Sequence, residues 1–303
     1  MPARPASSLL LPFGAACLGI AIFSGMDAVM KHLAIAIGAY NAMFWRTMAS
    51  LVLITPIYVA TRGRWPPRRV LLLHVARGVV HSISLILFFW ALVRVPMALG
   101  VALTFVAPLL ALGMAALFLK ERVAGSAAGA SLVAFGGVIV ILVAQPGGVP
   151  GTGDWRAPAA ILAAAFLYAI GTVIGRALAQ RASPLEVALF FNIVAGTLML
   201  GASPWLGVFP AAEHLPAIAA ATITSTGSIM LVAWAYARAE TQYLLPVEYT
   251  AFLWAALFGW MVFGERLTNA TLAGAALIVA GCLWAARGKP RPKAGPLAEG
   301  QIA

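Results

Sequence analysis

The chain has 303 residues, 62% of them hydrophobic and only 10% charged. Water-soluble domains carry about a quarter charged residues, so there is too little polar side chain here to cover a globule, and lipid is the solvent for most of the surface. The net charge of +11 would suit nucleic acid, but the cations sit in short loops between apolar runs rather than on one face among aromatics, which excludes that partner.

A bilayer core of about 30 Å needs about 20 helical residues, and lipid admits only helices or closed barrels. Barrel alternation is missing, so the apolar runs read as helices. In chain order they cover roughly 9–30, 39–60, 70–93, 97–119, 125–144, 158–180, 185–206, 215–237, 241–263 and 270–286. Gly14-Ala15-Ala16-Cys17 has a faint likeness to a lipoprotein cleavage site. Leucine is missing three before the cysteine and the run continues past it, so the first span reads as a retained helix. Cys17 and Cys282 each stand alone in a span and offer neither a disulfide framework nor metal spacing. Breaks fall at Arg62-Gly63-Arg64-Trp65-Pro66-Pro67, at Gln145-Pro146-Gly147-Gly148 and at Ser183-Pro184. The glycine-rich break at 145–157 links two halves, 1–144 and 158–286, and the Pro-, Lys- and Gly-rich tail 287–303 reads as disordered.

Fourteen Lys and Arg side chains fall at the N-terminus, in the loops after even-numbered spans and in the tail, against four in the other loops. Positive loops stay inside, so both termini are expected in the cytoplasm of a bacterial cell, with the spans in its inner membrane.

Ionisable groups within a span are costly and mark a pathway or a buried pair. Asp27 and Arg46 lie in the outer third of spans 1 and 2, and Lys31, one turn beyond Asp27, is expected to snorkel with it to the interface. A structural role is the simpler reading for both. Arg77 in span 3 and Glu248 in span 9 lie at the same depth, so they are expected to pair if their helices adjoin. His74, Arg77 and His81 share one face of span 3. His74 is expected at the headgroups and His81 near the midplane, where a neutral imidazole can hydrogen-bond a solute or relay a proton.

Span 8 carries the hydroxyl run Thr222-Ile223-Thr224-Ser225-Thr226-Gly227-Ser228, with Trp234 and Tyr236 beyond it. Such hydroxyls can bond their own helix, but their density points to a face turned toward protein or a wet cavity. Trp65, Trp155, Trp205 and Trp284 suit an interfacial belt. Tyr168, Tyr249 and Trp254 lie deeper and, on inward faces, would form a pocket for an amphipathic organic solute. Pro96, Pro108 and Pro246 sit at or inside spans and weaken the helix locally, Pro246 only two residues before Glu248.

The halves echo each other. Phe118-Leu119-Lys120-Glu121-Arg122 reads against Val262-Phe263-Gly264-Glu265-Arg266 at an offset of 144 residues, which Gly137 and Gly281 repeat. A duplicated unit with an odd number of crossings places its second copy upside down. Inverted repeats around a central site are the architecture of an alternating-access transporter.

The stretch from Arg77 to Val123, with His81-Ser82-Ile83-Ser84, Val95-Pro96, Thr104-Phe105-Val106-Ala107-Pro108 and Lys120-Glu121-Arg122, resembles the drug/metabolite transporter superfamily, specifically its EamA-type ten-helix branch. Phe44-Trp45-Arg46-Thr47 is similar to that branch's second helix, and Pro246-Val247-Glu248-Tyr249-Thr250 with Leu253-Trp254 and Gly264-Glu265 to its ninth. The resemblance spans essentially the whole chain. It implies an all-α integral membrane fold of ten transmembrane helices in two inverted five-helix repeats, with helices 5 and 10 peripheral to a central cavity. It further implies movement of small metabolites, commonly export of amino acids. Four-helix exporters of the superfamily use a central carboxylate on helix 1, whereas Asp27 lies near the outer end of span 1, so either Glu248 takes the coupling role or the protein is a facilitator without proton coupling.

The expected function is export of amino acids by alternating access, with uptake, or larger amphipathic solutes such as nucleoside-derived compounds or drugs, as alternatives. Expected substrate contacts are Arg77, His81, Thr104, Tyr168, Trp234, Glu248, Tyr249 and Trp254, and expected coupling groups or ion pairs are Asp27, Arg46, Arg77 and Glu248. The partners are the small solute, the lipid bilayer and, for coupling, protons. No cofactor, metal or catalytic residue is expected, because no His/Asp/Glu cluster and no glycine-rich phosphate loop occurs.

Overall fold

A computed structural model describes residues 7–61, 65–119, 125–144, 155–179, 181–238, 244 and 247–287. The linker at 145–154 and the tail after 287 lie outside the described residues. The first half comprises α1 (Ser7–Ile37), α2 (Ala39–Thr61), α3 (Arg68–Leu92), α4 (Met97–Thr104), α5 (Ala107–Leu119) and α6 (Gly125–Val143). The second comprises α7 (Arg156–Ala179), α8 (Pro184–Leu206), α9 (Leu215–Tyr236), α10 (Ala251–Phe263) and α11 (Asn269–Arg287). Among the described residues there is no strand. The segments of α1, α2, α3, α7, α8 and α9 are long and apolar enough to cross a membrane, and the remaining helices are shorter apolar pieces. The molecule is an all-α membrane protein of the expected class.

Local chemistry sets the helix ends. Gly38 turns the chain between α1 and α2 at φ +83°, a conformation that costs glycine little. Asn41 then donates to Ile37 O at 2.9 Å, satisfying a carbonyl at the end of α1. Helix α8 opens with Ser183 accepting the Glu186 N–H at 3.2 Å and Pro184 in the first turn, a serine cap joined to the residue best suited to start a helix. Helix α10 ends at Gly264, φ +64°, with the N–H groups of Gly264 and Glu265 returning to Trp260 O and Gly259 O.

The fourth span, expected as one helix over 97–119, is two. Pro108 has no N–H for the Thr104 carbonyl one turn back. The Phe105 and Val106 N–H groups fall back on Ala102 O and Leu103 O, three residues earlier, and the chain turns there. The ninth span is interrupted likewise by a turn at Tyr249–Thr250. Phe105 and Tyr249 stand 144 residues apart, the offset of the sequence echo, and their rings meet edge to face at 5.4 Å.

Packing repeats under the same offset. Helix α3 lies on α7 as α9 lies on α1; α5 on α7 as α10 on α1; α3 on α8 as α9 on α2. The pairs α2–α8 and α6–α11 each join an element to its own counterpart, so a pseudo-two-fold axis passes between them and between Phe105 and Tyr249. Helices α6 and α11 approach until their backbones touch: a Cβ on Gly137 would lie 2.5 Å from Gly274 O, the close contact that small residues permit in lipid. Met30, Leu33, Met43, Phe89, Leu92, Met97, Leu99 and Leu103 fill the main core. Val52, Leu132, Ile223, Leu253 and the belt residues Trp65, Trp155 and Trp205 are exposed on the outside, as a lipid-facing coat requires.

Candidate functional site

Two glycines on α7 make room for two polar residues on α3. Gly171 and Gly175 lie one turn apart, as do Arg77 and His81, so the pairs meet when the helices pack. A Cβ on Gly171 would come within 2.7 Å of His81 Nε2, and one on Gly175 within 3.2 Å of Arg77 Nε. His81 is buried, with Tyr168 at 5.0 Å and Phe191 at 6.4 Å between ring centroids. Its Nε2 and the Arg77 Nε are buried without a hydrogen-bond partner.

Tyr168 is 51% exposed, yet it interacts through space with Arg77 on one side and Glu248 on the other. Glu248 is itself exposed and accepts a hydrogen bond from the Tyr236 hydroxyl at 2.5 Å. Arg77 and His81 on α3 therefore meet α7 at Gly175, Gly171 and Tyr168, and Glu248, just before α10, meets Tyr236 at the end of α9. The expected Arg77–Glu248 ion pair does not form; the Tyr236 hydroxyl donates to the carboxylate instead.

Asp27 and Arg46 are both buried and act on each other through space without an ion pair. Among the described residues no salt bridge joins any two of Asp27, Arg46, Arg77 and Glu248. The Arg46 Nε and Thr47 Oγ1 atoms are buried without partners. Tyr249 packs on Phe105 at the paired turns, and the Thr104 hydroxyl beside them donates to Val101 O at 2.7 Å. Trp254 lies elsewhere, lining an apolar cleft of about 240 Å³ with Cys17, Thr250, Leu253 and Leu257. Trp234 lies under the Arg238 guanidinium at 4.2 Å. The structure thus brings Arg77, His81 and Tyr168 together on one side and Glu248 with Tyr236 on the other, with Trp234 packed in the same cluster as Tyr236 and Trp254 in its own cleft.

Two sequence readings need correction. Lys31 does not snorkel: it is 3% exposed and bonds Glu265 at 2.5 Å. Asp27 is buried as well. His74 is buried against Glu186 at 3.2 Å, its ring stacked on Phe190 at 4.8 Å. Burying either partner alone would leave a charge or polar group unsatisfied, which the pairing avoids. Glu186 carried a readable signal as the third residue after a helix-starting Ser183-Pro184. Lys31 and Glu265, 234 residues apart, carried none. In span 8 the hydroxyls of Thr222, Ser225 and Ser228 are buried and bond carbonyls of their own helix.

The described residues hold no set of three metal-binding side chains. The family model for the EamA-like transporter family matches residues 11–143 and again 155–287, two copies at the same 144-residue offset. A pseudopaline exporter from Pseudomonas aeruginosa is 26% identical over 270 residues, covering 88% of this chain and 93% of its own. A riboflavin transporter from Rhizobium johnstonii is 25% identical over 286 residues, covering 92% and 91%. An S-adenosylmethionine uptake transporter from Rickettsia felis is 21% identical over 271 residues, covering 88% and 89%. A solved crystal structure aligns over 94% of this chain and 100% of its own with a TM-score of 0.61 at 20% identity, a likeness of fold. With the family pattern present in both halves and the paired halves visible in the packing, this chain belongs to the EamA-like transporter family and is a membrane transporter of the drug/metabolite superfamily.

Proposed function

We propose that the chain carries a small zwitterion, an amino acid or close relative, outward across a bacterial inner membrane by alternately exposing the space between its halves. One observation carries this reading: Arg77, its Nε buried without a partner, and Glu248, bonded by a tyrosine hydroxyl, form no ion pair with each other. A solute with a carboxylate and an ammonium group would satisfy both charges. Tyr168, Tyr236 and Tyr249 would pack its apolar part, and the unpartnered His81 Nε2 would take a further polar group. Glu248 is then the group through which protons couple to the solute, faced by Tyr236 on α9 and by Tyr168 on α7 with Arg77 beyond. The excess of cations in the loops on one side supports cytoplasmic termini.

The second reading is a larger amphipathic solute such as a nucleoside-derived compound, carried inward or outward. It is favoured by relatives named for riboflavin and for S-adenosylmethionine uptake, and by the aromatic content of the site. Counterflow in proteoliposomes with labelled amino acids, nucleosides and flavins separates the two. Accelerated exchange of at least one amino acid is the expected result. Exchange of a nucleoside or flavin with every amino acid inert replaces the first reading by the second.

A further inference from the structure

The face bearing the end of α1 and the turn from α3 to α4 is tied by a buried charge pair that also grips a third segment. Lys31 Nζ lies 2.5 Å from Glu265 Oε1 and donates to Val95 O at 2.7 Å. The other carboxylate oxygen, Glu265 Oε2, accepts the Met97 N–H at 2.7 Å. The Phe263 ring lies 5.0 Å from the ammonium. Both charges are therefore satisfied by partners on two sides.

The grip ties three segments together. Lys31 belongs to α1 and Glu265 directly follows α10, which packs on both α1 and α4. Val95 and Met97 flank Pro96 in the α3–α4 turn. Local structure aims each part. Left-handed Gly264 sends Glu265 back over Gly259, where a Cβ would lie 2.4 Å from Glu265 Oε2. Pro96 opens α4, and the Met97 N–H is among the helix-start donors left without an internal partner, so the carboxylate caps α4 where helix charge favours an anion.

We propose that Lys31 and Glu265 are a clamp that closes this face of the transport path by holding the α3–α4 turn, and that opening the face requires release of Val95 O and Met97 N–H. Glu248 lies toward the opposite end of the spans and is exposed. Beside the clamp a cleft of about 400 Å³ already reaches as far as Leu99 in the first turns of α4. The clamp does not depend on which solute is carried.

The test needs no substrate. In nanodiscs, with Cys17→Ser and Cys282→Ser as background, a charged maleimide reports the reactivity of single cysteines at Leu99, behind the clamp, at exposed Arg94, and at Ile141 in the α6–α11 contact. Leu99 lines the cleft but is 1% exposed, so Leu99→Cys should react at least about tenfold more slowly than Arg94→Cys, and adding Lys31→Met or Glu265→Gln should raise its rate about tenfold by shifting the population toward the open face. Ile141→Cys should stay unreactive throughout. The proposal is overturned if both clamp variants leave the Leu99→Cys rate unchanged within about twofold, or if Ile141→Cys gains reactivity in parallel, which would mean general loosening. Should Lys31→Met fail to fold, the milder Glu265→Gln, which keeps an oxygen for Met97, decides by the same rates.

Discussion

Placing a single methyl group at Gly171 tests whether the α3–α7 contact positions His81. In the present packing that methyl would lie 2.7 Å from His81 Nε2, 2.8 Å from Cε1 and 2.9 Å from Cδ2, against an ordinary contact of 3.4 Å or more. The ring must therefore retreat by about 0.7 Å, but Tyr168 and Phe191 stand close around it. Overpacking of this kind costs about 1–3 kcal/mol. At roughly 2–3 °C per kcal/mol for a chain of this size, Gly171→Ala should lower the thermal midpoint by roughly 2–8 °C. In a His81→Ala background the obstacle is gone, and alanine is favoured over glycine inside a helix by up to about 1 kcal/mol. There the same substitution should be neutral or mildly stabilising. The double-mutant cycle, read by thermal unfolding in detergent or nanodiscs, should then give a coupling of at least about 1 kcal/mol. Costs that simply add, within about 0.5 kcal/mol, would refute the idea that Gly171 is small on account of His81.

Two further outcomes follow from the same geometry. His74→Ala removes the imidazole that meets Glu186 at 3.2 Å in a site where both side chains are 1% exposed, so it should destabilise by about 1–3 kcal/mol, while His74→Leu combined with Glu186→Leu should recover most of that loss; a double variant as unstable as the single one argues against a buried pair. Glu248→Gln should abolish transport driven by a pH gradient yet leave solute exchange largely intact, and an unchanged pH dependence in that variant removes Glu248 from coupling.

Some elements were readable in the chain and others were not. The proline at 108 marked a weak point, but only the structure shows that the helix parts at Phe105–Val106 and meets a second break at Tyr249. Arg77, His81, Tyr168 and Glu248 were all identifiable as polar or aromatic groups deep in apolar spans. Their arrangement differed from expectation, with Tyr236 rather than Arg77 on the Glu248 carboxylate. Trp234 packs in one cluster with Tyr236 and Val247, and Trp254 lines a separate apolar cleft.

What the amino-acid order determined alone is the all-helical membrane class and the inverted duplication, because lipid forces every span to satisfy its backbone internally and the 144-residue echo survives in the residues themselves. What only the tertiary structure decided is which charge meets which: Lys31 with Glu265, His74 with Glu186, Glu248 with Tyr236. The reason is physical. A helix that is apolar on all sides has no amphipathic stripe to say which face turns inward, so the rotation and depth of each span, and with them every polar partnership between spans, are set only when the helices pack.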